Sequence, residues 1–134
     1  VSPGMRVLDV GCGSGWSTAL LAELVGPTGE VVGVEIVPEL VGWGAGNLAR
    51  ADRRWARIVQ ATPGVLGAPE GAPYDRVLVS AEATRVPEEL VEQLVPDGTM
   101  VVPVNGRMTV VRRTASGADV RQEGHYSFVP LIEP

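Results

Sequence analysis

The sequence predicts one α/β domain, a doubly wound parallel sheet with antiparallel strands added at its C-terminal edge. Three observations predict it. Short apolar runs alternate with stretches of helical periodicity as far as residue 104, a glycine-rich bend joins the first run to the first helix, and beyond Asn105 the spacing changes to short runs divided by Asn-Gly and Ser-Gly turns.

Residues 6–10 form the first strand, and the glycines at positions 11, 13 and 15 then let the backbone turn sharply beside a ligand. A helix follows from Trp16, with Leu20, Leu21, Leu24 and Val25 at helical spacing, until Gly26-Pro27-Thr28-Gly29 stops it. Residues 31–34 are wholly apolar, as in a buried parallel strand, and Glu35 stands at their C-terminal end, where such sheets bind ligands. Pro38 suits the first turn of a second helix, with Val37, Leu40, Val41, Gly44 and Leu48 on one face and Trp43 half exposed beside them.

Residues 57–61 read as a third strand. The next twelve, 62–73, hold three prolines and three glycines and predict an irregular crossover with little or no helix. A fourth strand covers residues 76–80. Pro87 opens a helix carrying Leu90, Val91 and Leu94, and Pro96-Asp97-Gly98 turns into a strand over residues 99–104. Asn105-Gly106 and Ser116-Gly117 flank residues 108–113, which predicts the antiparallel edge.

Composition narrows the chemistry. At 134 residues, with 45% hydrophobic and 20% charged, the chain fits a single globular domain, residues 1–134. No apolar run approaches the roughly eighteen residues that span a bilayer, and no signal-peptide pattern is present, so a cytoplasmic protein without membrane association is expected. The start at Val1 without Met reads as a truncated or processed chain. The single cysteine excludes an internal disulfide, the single histidine excludes a multi-imidazole metal site, and the absence of lysine excludes Schiff-base catalysis. No metal is expected. A net charge of −5 opposes capture of a nucleic-acid backbone; Arg50, Arg53, Arg54 and Arg57 form the one basic cluster and read as a solvated face.

The glycine spacing then separates two cofactors. A dinucleotide fingerprint needs glycine at its sixth position, which is Trp16 here. The order Asp9-x-Gly11-x-Gly13-x-Gly15 instead resembles motif I of Rossmann-like class I S-adenosylmethionine-dependent methyltransferases. The resemblance implies that Asp9, Gly11, Cys12, Gly13, Ser14, Gly15 and Trp16 surround S-adenosyl-L-methionine, with Cys12 a small spacer. Glu35, twenty residues after Gly15, suits the ribose hydroxyls, because a carboxylate accepts from both; Trp16 suits the sulfonium cation.

From Val7 to Leu131 the chain resembles the protein-L-isoaspartate O-methyltransferase family. Residues 7–22, 31–40, 66–79 around Ala72-Pro73-Tyr74-Asp75, 86–104 and the ending Phe128-Val129-Pro130-Leu131 carry the likeness. It implies methyl transfer to a peptide or protein carboxylate. A carboxylate is already nucleophilic and the sulfonium methyl already electrophilic, so positioning and removal of water suffice; no catalytic side chain is assigned. Ile36, Thr62, Pro63 and Gly64 complete the implied cofactor contacts.

Three features depart from the family. Its N-terminal segment, which carries a substrate motif, is absent; Pro63 stands where the family has an acid facing adenine; and Glu82 stands among positions that are small in the family, as a loop acid or as added negative charge at the strand ends. With the helix-free crossover, the missing segment predicts a poorly covered sheet face, hence an apolar patch, a homodimer or another partner. Two alternatives stay open: a degenerate S-adenosylmethionine-binding module without catalysis, and an RNA methyltransferase.

Overall fold

The computed structural model describes residues 1–125 and 129–131. The elements run β1 (Arg6–Val10), α1 (Trp16–Val25), β2 (Glu30–Glu35), α2 (Pro38–Ala51), β3 (Ala56–Gln60), β4 (Tyr74–Val79), α3 (Glu88–Val91), β5 (Leu94–Val104), β6 (Arg107–Thr114) and β7 (Gly117–His125). The strands form one seven-stranded sheet in the order β3-β2-β1-β4-β5-β6-β7. The first five are parallel and β6 and β7 antiparallel, so the predicted fold and its antiparallel edge are both present. No described helix is long and apolar enough to cross a membrane.

Alternation along the strands builds two cores. Leu8 and Val10 of β1 and Val32 and Val34 of β2 face a large cluster with Tyr74, Val77, Met100, Val102 and Leu90, while Val7 and Val31 face Leu21, Ala22 and Val25 of α1. Helices α1 and α2 lie over β1, β2 and β3. The crossover after β3 holds one 3-10 turn, Pro69–Gly71, as its composition predicts. Its backbone is fastened by buried side chains instead: the Gln93 amide donates to Leu66 O at 2.8 Å and accepts from Ala68 N at 3.1 Å, and the Tyr74 hydroxyl donates to Ala68 O at 2.7 Å.

Four expectations are corrected. On α1 the buried positions are Thr18, Leu21, Ala22 and Val25, whereas Leu20 and Leu24 are 49% and 48% exposed. The third helix ends at Val91, and Leu94 opens β5 opposite Tyr74. The Pro96-Asp97-Gly98 turn lies inside that strand: Leu94 pairs with Tyr74 but Thr99 with Arg76, so residues 95–98 form a bulge in the pairing, with Asp97 at φ 65°. The expected apolar patch lies mainly on a helix, where Trp16, Leu20 and Leu24 make an exposed i, i+4, i+8 stripe, while Val101 and Val110 on the sheet are half-buried.

Candidate functional site

Beyond the C-terminal ends of β1, β2 and β4 lies a cavity of about 500 Å³. Parallel sheets bind ligands at this end, where the order of strands reverses around β1. Its walls come from Val10 and Gly11, from Val34 to Leu40 except the outward Pro38 and Glu39, and from Ala61, Leu66 and Gly67 of the crossover. Ser80 and Ala81 close it from β4, and Val129, Pro130 and Leu131 form the remaining side. Among the described residues Glu35 is the one carboxylate in this lining.

The glycine bend is built for close approach. Gly11, Gly13 and Gly15 all have positive φ, 76°, 55° and 84°. The three differ in purpose. A Cβ on Gly15 would lie 2.8 Å from Gly44 O and 2.9 Å from Ile58 Cδ1, so this glycine lets α1 and α2 meet; one on Gly13 would meet nothing within 4 Å.

Glu35 ties the bend to the second helix. It is 7% exposed; Oε1 accepts from Gly13 N at 2.9 Å and Oε2 from Val37 N at 3.0 Å. Each oxygen retains acceptor capacity for a hydroxyl in the cavity. Asp9 is fully buried and does not line the cavity: its Oδ2 accepts from Ser17 Oγ at 2.7 Å and Thr18 Oγ1 at 2.8 Å, pinning the first turn of α1. Its Oδ1 has no hydrogen-bond partner among the described residues, and burial raises its pKa against those two hydrogen bonds.

Residues 1–134 match the family described as protein-L-isoaspartate(D-aspartate) O-methyltransferase (PCMT). The chain belongs to the protein-L-isoaspartate O-methyltransferase family. The member from Methanopyrus kandleri is 45% identical over 97% of this chain and 60% of its own length; that from Triticum aestivum is 40% identical over 98% and 61%. This chain therefore spans about 60% of the curated relatives it matches. A solved protein-L-isoaspartate O-methyltransferase superposes with TM-score 0.90 at 27% identity, over 97% of this chain and 43% of that one. A Plasmodium falciparum structure of the same type, in complex with S-adenosyl-L-homocysteine, superposes with TM-score 0.86 at 24% identity and shares the fold, over 99% of this chain and 68% of that one.

Within this isoaspartyl methyltransferase family member, the predicted site residues divide. Gly11, Glu35 and Ile36 line the cavity. Cys12 is buried beneath the bend, its thiol pushed up to about 12 by burial and by the Asp9 charge, which fits a spacer and not a nucleophile. Ser14 offers its carbonyl to Asn47 Nδ2 at 3.0 Å. Trp16 is 73% exposed and outside the lining. Thr62, Pro63 and Gly64 form an exposed turn closed by Val65 N to Thr62 O at 3.0 Å; the crossover reaches the cavity through Ala61, Leu66 and Gly67 instead.

Glu82 serves the fold, since its Oε1 accepts from Gly106 N and so holds the β5–β6 turn. Its backbone also forms a parallel bridge with Pro130, through Glu82 N to Val129 O and Leu131 N to Glu82 O, both at 2.6 Å. That bridge carries the C-terminal ending to the cavity wall. Sequence reading missed Val37, Leu40, Leu66 and Ala81 as lining; their apolar character signalled burial, and only the fold tells a cavity wall from a core. Phe128 lies outside the described residues.

Proposed function

We propose that this chain is the S-adenosyl-L-methionine-binding core of an isoaspartyl methyltransferase, which transfers a methyl group to a peptide or protein carboxylate. The observation that carries the reading is the placing of one buried carboxylate, Glu35, in a largely apolar cavity against a positive-φ glycine bend.

The residues present fit that cofactor. Glu35 has lone pairs left for the ribose diol, Ile36 and Leu66 offer apolar surface to a purine, and Gly11 brings bare backbone to the cavity wall with no side chain in the way. Pro63 contributes no carboxylate, so adenine contacts fall to apolar surface and backbone groups of the crossover. When bound, the cofactor supplies a methyl group already activated on a sulfonium. The chain's own residues orient the nucleoside, exclude water with the apolar walls and carry the Val129–Leu131 side of the cavity toward the acceptor.

The methyl acceptor, cytoplasmic location and the single-domain reading of residues 1–134 belong to the same proposal. The relatives are longer, and the exposed stripe Trp16, Leu20 and Leu24 is the surface on which further polypeptide or a partner protein would bury apolar area. Calorimetric titration with S-adenosylhomocysteine, followed by methyl transfer to an isoaspartyl peptide, tests the reading. Binding with transfer supports it; binding without transfer supports the cofactor-binding module, and no binding removes both. RNA binding that weakens on replacing Arg53 and Arg54 would support the RNA methyltransferase instead.

A further inference from the structure

Strand β7 ends the sheet, and its outer edge pairs with no other strand among the described residues. Every position from 117 to 124 is exposed, including Val120 at 52%. Such an edge presents a row of backbone donors and acceptors to another chain. Its sequence restricts what that chain is.

The regular part of β7 runs from Gly117, opposite Thr114, to Glu123, opposite Met108; beyond it the pairing shifts at Gly124, which has φ 58°. Asp119, Arg121 and Glu123 alternate in charge on one face, with Ala118, Val120 and Gln122 on the other. If a second copy of β7 lies antiparallel to the first, directly opposed residues must both point their backbone groups toward the partner strand or both away from it. Their numbers therefore have the same parity. A pairing centred on Arg121 sets Arg121 against its own copy and Asp119 against Glu123, which is repulsive twice over. A pairing centred on Gln122 runs through the irregular Gly124. A pairing centred on Val120 uses residues 117–123 from end to end and places Asp119 opposite Arg121 of the partner subunit, twice by symmetry.

We propose that this edge is a dimer interface, in which β7 pairs antiparallel with β7 of a second copy about a two-fold axis at Val120. The sheets of the two copies join, Val120 is covered by its symmetry mate beside the buried Val111, and two acid–arginine pairs fix the register. The present partners give way easily: Asp119 pairs with Arg112 at 2.9 Å and Arg121 with Glu123 at 2.9 Å, and all four side chains are at least half exposed.

Sedimentation and disulfide trapping of the 134-residue chain test the interface. The expected result is a concentration-dependent dimer whose dissociation constant rises at least roughly tenfold in Arg121→Asp, about the 1.4 kcal/mol that one tenfold step represents. Asp119→Arg combined with Arg121→Asp should restore it, because the opposed charges are exchanged. Val120→Cys should form a linked dimer on mild oxidation faster than Gln122→Cys, and the native Cys12 is buried and stays silent. Unchanged S-adenosylhomocysteine affinity in these variants would show that the fold is intact. A monomer at every concentration, a dimer indifferent to Arg121→Asp, or faster trapping through Gln122→Cys would each overturn the proposal.

Discussion

Glu35 accepts the Gly13 backbone N–H at 2.9 Å, so the acid that ends β2 also holds the glycine bend that follows β1. In the proposed site, ligand contact and loop order thus depend on the same side chain. Glu35→Ala is expected to weaken S-adenosylhomocysteine binding by about 1.5–3 kcal/mol, the range for hydrogen bonds to a charged group. Glu35→Gln keeps one acceptor oxygen and should lose less. Titration calorimetry of the three proteins checks the order.

The glycines separate into two kinds. Gly15→Ala places a Cβ 2.8 Å from the Gly44 carbonyl at φ 84°, so thermal unfolding should shift to lower temperature. Gly13→Ala carries a comparable backbone cost at φ 55° but its Cβ meets no protein atom within 4 Å, so it should melt above Gly15→Ala while the added methyl weakens cofactor binding. Paired melting and binding measurements distinguish them. Equal melting loss in both variants would contradict the assignment.

Gln93 does not line the cavity, yet its amide fixes Leu66 and Ala68 on either side of lining Gly67. Gln93→Leu leaves a buried N–H and a buried carbonyl without that partner, a cost of about 1–3 kcal/mol for each group left unsatisfied. Both melting temperature and cofactor affinity are expected to fall. Affinity unchanged at a lower melting temperature would show that the crossover wall does not need this clamp.

Burial raises the pKa of Asp9 despite the hydroxyls of Ser17 and Thr18. The folded form therefore holds this proton at a higher pH than the unfolded chain does. Sign follows from linkage: at neutral pH the buried charge opposes folding, and the penalty lessens as pH falls through the raised folded-state value toward the ordinary carboxylate range. Asp9→Asn should be more stable relative to the native chain at neutral pH than in acid. Denaturant melts of both proteins across that window supply the check.

Much of this was legible in residues whose local chemistry admits one backbone outcome. The apolar runs of β1 and β2, the glycine bend, Pro38 at the start of α2 and the Asn105-Gly106 turn all specify themselves. The errors arose where tertiary pairing decides. Nothing local to Pro96-Asp97-Gly98 distinguishes a turn from a bulge until Leu94 finds Tyr74 across the sheet. Leu20 and Leu24 have the same helical spacing as Leu21 and Val25, and their exposure depends on which side of α1 meets the sheet. The cavity wall was the least legible part, since Leu66 and Gly67 reach it through a crossover held by Gln93 and Tyr74 from distant elements.

The most direct test of the cofactor assignment is a crystal of this chain grown with S-adenosylhomocysteine. The expected density places the nucleoside over the β1–α1 bend, with both ribose hydroxyls donating to the Glu35 carboxylate and the purine between Ile36 and Leu66. A ligand bound elsewhere, or a ribose that leaves Glu35 engaged only by Gly13 and Val37, would contradict it.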